Sequence, residues 1–203
     1  MICRTSRFAQ RLSCFLQPLV RESDGSALLE FAITLPLLVV FVVGIYDFSG
    51  AFNQKQKVEQ AAQEGAIVAA AQPTLDLSTF PSPNLDPDSL KQVVTAVFNS
   101  LAYSGALAQG ACTPPGTGVP VSGLKWTYTI KGCSTSNPGD DLVITIDRGF
   151  GVFGGVQPIV CTVVTVSYPY HWRFNSVIQL LIPGASYAAI TSVQETATVH
   201  NQT

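Results

Sequence analysis

One stretch of this sequence leaves few options for the fold. From Ala27 to Tyr46 the side chains are apolar or small, and the only charge among them is Glu30. Twenty helical residues rising about 1.5 Å each cover about 30 Å, the thickness of a bilayer's hydrocarbon core. The run therefore predicts one transmembrane helix. Later apolar runs, at 158–166 and 177–183, are too short to cross. Only 12% of the chain is charged and its mean hydropathy is +0.31. That charge fraction is low for a soluble protein, and much of the excess apolarity lies in this one run.

Charge predicts the orientation. Arg4, Arg7, Arg11 and Arg21 precede the span, against Glu22 and Asp24, whereas the remainder carries seven basic residues against eleven acids. The positive-inside rule then keeps the N-terminus in the cytoplasm and exports the C-terminal bulk. A cleaved secretory signal would have an apolar core of about 7–15 residues ending in a small-x-small site. Gly44, Ile45, Tyr46, Asp47 and Phe48 offer no such ending. The net charge of −2 gives no general attraction to nucleic acid.

The five cysteines divide about the span. Cys3 and Cys14 face the reducing side, and Cys112, Cys133 and Cys161 lie where disulfides form. Cys112 sits in a Pro/Gly loop and Cys133 in a Gly/Ser/Asn turn, so these two are the expected pair. Cys161 lies in an apolar strand pattern and is expected to be a buried free thiol. The spacings fit no zinc template.

The predicted order of elements is as follows. Residues 1–25 form a basic leader, 26–46 the transmembrane helix, and 47–72 an amphipathic helical extension. An exported α+β domain occupies 73–203. Pro36 removes a backbone hydrogen bond within the span and predicts a kink. Beyond the span, Phe48, Ala51, Phe52, Val58, Ala61, Ala62, Ala66 and Ala69 recur at helical spacing. The small side chains of that stripe, Gly65 included, allow close approach of another backbone or sheet. Pro73 ends it. A proline-rich loop follows, then Asp86 as an N-cap, Pro87 at the first helical position, and a second amphipathic helix to about Tyr103. Residues 104–123 read as irregular. The period then changes to two, predicting strands at 124–131, 142–147, 159–168 and 188–200, with a short helix at 175–181. This is an α+β fold with a roughly four-stranded antiparallel sheet packed on the outer half of the long helix.

Glu30 demands an account. A carboxylate costs about 2.5–3.5 kcal/mol at the middle of a span and less near its end. Either it snorkels to the cytoplasmic headgroups, or it pairs with a positive group at the same depth. A cut after Gly25 would create such a group, the α-amine of Ser26.

The run Gly25-Ser26-Ala27-Leu28-Leu29-Glu30-Phe31 resembles the processing site of type IV pilin-like precursors: glycine before the cut, glutamate fifth after it. The longer pattern resembles the TadE-like family of tight-adherence (Flp) pilus systems. It adds Pro36, the exit Gly44-Ile45-Tyr46-Asp47-Phe48 and the segment Ala61-Ala62-Gln63-Glu64-Gly65-Ala66. The specific likeness covers about residues 25–71, and the C-terminal domain matches in outline.

The resemblance implies a minor pilin or pseudopilin that helps assemble an adhesion pilus. It implies Gly25 and Ser26 as the processing site for a prepilin peptidase, with Glu30 and Phe31 setting axial register among helices. The implied partners are other pilin-like subunits, the Tad inner-membrane platform and the lipid bilayer. The implied location is the bacterial inner membrane, with a periplasmic C-terminal domain that can enter a pilus. A related branch keeps such spans uncut, so an uncleaved accessory anchor of the Tad machinery is the alternative. A membrane-tethered periplasmic enzyme or ligand-binding domain is a third class.

Other groups speak less clearly. Cys161 and His171 lack any triad signature around them, so catalysis is not expected. Asp140, Asp141 and Asp147 read as a solvated turn rather than a calcium loop. Gly149, Gly151, Gly154 and Gly155 read as a hairpin loop, since no helix or lysine follows to make a phosphate site. No cofactor is expected. Tyr168, Tyr170, Trp172 and Phe174 suit a partner subunit, the membrane interface or a packed core.

Overall fold

The structure is a computed structural model. It describes residues 23–73, 87–107, 112–133, 140–152, 159–173, 179, 184 and 191–201. Helix α1, Ser23–Ala71, is a single 49-residue element that runs through Pro36 unbroken. Helix α2 is Asp88–Tyr103. The strands are β1 Thr117–Ser122, β2 Lys125–Ile130, β3 Leu142–Val152, β4 Ile159–Pro169 and β5 Ser192–His200. They form one antiparallel sheet in the order β1-β2-β3-β4-β5, each strand beside its neighbour in sequence.

The sheet's alternation decides what it covers. Trp126, Tyr128 and Ile130 of β2, Leu142, Ile144 and Ile146 of β3, and Val164 and Val166 of β4 point to one face and are buried. Both helices pack there. From α1 come Val58, Ala61, Ala62, Ala66 and Ala69, and from α2 come Leu90, Val93, Val94, Val97 and Leu101. The opposite face is rich in hydroxyls. Thr127, Thr145, Thr165 and Thr196 lie side by side across four strands. Their hydroxyls meet pairwise, Thr127 with Thr145 at 3.2 Å and Thr165 with Thr196 at 3.0 Å.

The small stripe of α1 is what lets α2 and the sheet close on it. A methyl group added at Gly65 would come closer than 3.0 Å to Val97 Cγ2, and would lie 3.4 Å from Val164 Cγ1. Close approach buries the α2 residues completely. Each such side chain contributes about 1.5–3 kcal/mol when fully removed from water. The lower part of the stripe behaves differently, because Phe48 and Phe52 remain mostly exposed.

The sheet has five strands rather than four. Residues 117–122 pair with β2, although Gly118 and Pro120 disguise them as loop. Proline is tolerated there because β1 is an edge strand. Gly116, at φ +71°, sets up the turn into it, and a side chain at that position would strike the Thr129 carbonyl. Gly149 and Gly151 lie within β3, not in a hairpin loop, Gly149 at a bulge between Asp147 and Phe150 and Gly151 paired with Val160; Gly154 and Gly155 lie outside the described residues. Pro87, not Asp86, is the N-cap of α2, with extended backbone at ψ 132°. Its carbonyl accepts from the amides of Leu90 and Lys91. The expected short helix at 175–181 lies outside the described residues apart from Gln179, as do Asp86 itself and the leader before residue 23.

Candidate functional site

The inner half of α1 is the outstanding surface of the molecule. Its most apolar stretch is covered by no other described part of the chain. Leu28, Leu29, Phe31, Ile33, Leu37, Phe41 and Ile45 are all exposed. Gly25, Ser26 and Glu30 lie on this bare rod, and a side chain at Gly25 would meet nothing within 4 Å. Ser26 and Glu30 are four residues apart on a helix and so lie one above the other on a face. The Thr34 hydroxyl turns back to donate to the Glu30 carbonyl at 2.7 Å, which keeps that polar hydrogen inside the helix. Val40, Phe41, Gly44, Ile45, Phe48 and Phe52 line a shallow apolar groove that runs from the span onto the outer half.

The globular domain meets α1 immediately beyond the apolar run. Asp47 is buried. The Tyr170 hydroxyl donates to the Asp47 carbonyl at 3.3 Å. Trp172 sets an edge against Phe48, with centroids 5.4 Å apart, and another against Tyr170 at 5.3 Å. Burial raises the Tyr170 pKa above 10.0, the nearby Asp47 carboxylate raises it further, and Arg173 opposes both. The aromatic segment thus joins the packed core through Tyr168 and grips the helix through Tyr170 and Trp172.

Farther out, two polar contacts add to the packing of α1 and the residue after it on the sheet. Lys55 Nζ lies 3.5 Å from Glu195 Oε1 of β5. At the outer end, Arg148 of β3 is almost wholly buried and its Nη2 donates to the Gln72 carbonyl at 2.9 Å. A cation belongs there, since the C-terminal end of a helix is the negative end of its dipole. In the sequence Arg148 is one of the seven basic residues after the span, with no local motif around it. The signal was an arginine inside an alternating strand on the side that carries Leu142, Ile144 and Ile146.

The remaining candidates fall in separate places. Cys112 and Cys133 are joined as a disulfide, with Cα atoms 4.9 Å apart. It ties the turn before β1 to the end of β2. Cys161 is buried and free. Its sulfur lies 3.7 Å from Nδ1 of His200 rather than near His171. His171 instead meets Asp140, with Nε2 2.7 Å from Oδ2. Asp140 is buried, and Asp147 lies within β3, where it accepts from the Gly149 amide at 3.0 Å, so the two do not share one turn. Among the described residues no three His, Cys, Asp or Glu side chains cluster to hold a metal ion.

Comparison with known proteins adds one finding. Residues 25–66 match the model of a family described as TadE-like protein, the family that this stretch resembles. No curated protein and no solved structure matches the chain.

Proposed function

We propose that this chain is a pilin-like structural subunit, a minor pilin or pseudopilin, of a Tad/Flp-type pilus. The observation that carries the reading is the bare apolar rod preceding a packed α+β domain. An exposed apolar helix of this length needs either lipid or other helices around it, and assembly exchanges one for the other. The motif around Gly25 and Glu30 supports a precursor cut between Gly25 and Ser26 by a prepilin peptidase. The freed α-amine of Ser26 then meets the Glu30 carboxylate of its own chain or a neighbour's, and that pair sets the axial register. The groove from Val40 to Phe52 supplies an apolar track for a neighbouring helix. The N-terminus lies in the cytoplasm and the domain in the periplasm. No chemistry is performed, and binding rests on packing and on one ion pair.

Intact mass of the protein from cells tests processing. The expected product begins at Ser26, and full-length protein persisting beside an active peptidase would favour an uncleaved accessory anchor. Glu30→Ala tests register. Membrane insertion should survive while pilus formation falls, and normal pili from this variant would remove the role assigned to Glu30.

A further inference from the structure

The segment 170–173 stands at a definite height on α1, and that height has a meaning. From Gly25 to Tyr46 the helix rises about 32 Å at the standard 1.5 Å per residue, which matches a hydrocarbon core of about 30 Å. Residues 47–50 then occupy the next 6 Å or so. The headgroup layer on each side of a bilayer is about 5–8 Å deep. Tyr170 reaches α1 at this level. Its hydroxyl bonds the Asp47 carbonyl and lies 3.1 Å from where a side chain at Gly50 would begin. Trp172 reaches it at Phe48. Arg173 is exposed beside them, and Tyr46 is exposed on the helix itself.

The composition fits that depth. Tyrosine and tryptophan concentrate at membrane–water interfaces because each has an apolar body and a polar tip. An exposed arginine beside them can reach a lipid phosphate with a planar fork of donors. The edge-on stacking of Trp172 between Phe48 and Tyr170 fixes these rings relative to the span, so the depth of one sets the depth of the other.

We propose that Tyr170, Trp172 and Arg173 form, with Tyr46 and Phe48, a second membrane contact that seats the globular domain directly on the outer headgroup layer of the bilayer. The domain is thereby held at two points, the span and this collar, and its tilt relative to the bilayer is restricted. The occupant is a phospholipid surface. The argument for it is continuity, since the collar begins where the bilayer-spanning run ends. It rests on the membrane-anchor part of the function proposed above and not on pilus assembly.

Tryptophan emission tests this directly, because the chain has two tryptophans and Trp126 is completely buried. The full chain with Trp126→Phe is reconstituted into phosphatidylethanolamine/phosphatidylglycerol vesicles. These contain lipids brominated either near the headgroup or deep in the acyl chain. Flotation is measured on the same samples. The expected result is that shallow bromine quenches Trp172 roughly two-fold more than deep bromine does. Should Trp126→Phe fail to fold, the same quantity is read as the difference between the unchanged chain and Trp172→Phe. Floating protein whose Trp172 emission ignores both lipids would overturn the collar and leave the anchor intact. Protein that does not float would overturn the anchor and the collar with it.

Discussion

Replacing Gly65 by alanine asks whether the small side chains of α1 are there to admit α2. Alanine is about 1 kcal/mol better than glycine inside a helix, so a free-standing helix would gain from the change. Here the new methyl would lie closer than 3.0 Å to Val97 Cγ2 and 3.4 Å from Val164 Cγ1. Val97 is buried and β-branched in a helix, where one χ1 rotamer dominates, so it cannot swing aside cheaply. Overpacking of this kind costs about 1–3 kcal/mol. The net effect of Gly65→Ala is therefore a loss of about 1 kcal/mol, opposite in sign to helix propensity. Val97→Ala alone should cost about 2–3 kcal/mol through lost burial and the cavity it leaves. Combined, the two changes should interact, because the alanine methyl enters space that Val97 vacated. The double variant should be more stable than the sum of the singles by about 2 kcal/mol, the overpacking cost that the Val97 change removes. Urea unfolding of the full chain in detergent micelles measures all three. If Gly65→Ala gains its full propensity, and the pair is additive to within about 0.3 kcal/mol, then α2 does not lie against Gly65 and the packing argument fails.

Other changes follow from the same contacts. Arg148→Met removes a charge-assisted bond to the Gln72 carbonyl and should cost about 1.5–3 kcal/mol, with faster amide exchange in the last turn of α1. Unchanged exchange there would refute the capping role. Replacing both Cys112 and Cys133 by serine opens a loop of 21 residues and should lower stability by about 3 kcal/mol in the chain-entropy model, checked by thermal unfolding with and without reductant. Tyr170 gives a pH dependence. Its folded pKa is raised, so the stability it contributes is complete below the unfolded value near 10 and is lost as pH rises through the folded value. Alkaline titration of stability should show this loss, and Tyr170→Phe should abolish that component.

Much of the fold was legible because period and punctuation agree. The apolar run, the stripe ending at Pro73 and the alternation from Lys125 to Ile130 each match one element. The pairing that joins Cys112 to Cys133 was also readable, since both lie in turn-like sequence flanking the first clear strand. Two features were hidden for physical reasons. Strand β1 carries Gly118 and Pro120, residues that a central strand excludes but an edge accepts. Arg148 depends on a helix terminus 76 positions away, a distance over which local pattern carries no information. Asp140 and His171 are likewise brought together from separate segments. The pattern of Gly25, Glu30 and Pro36 was legible because it lies within a few turns of one helix, and the family match at 25–66 falls on it.

The continuity of α1 has a mechanical consequence. One helix is both the bare apolar rod, long enough to cross a membrane, and the central strut of the folded domain, without a break between the two. A tilt of the buried end becomes, by leverage, a swing of the whole sheet. A pull on the sheet reaches the apolar end as axial force, undiminished by any compliant joint.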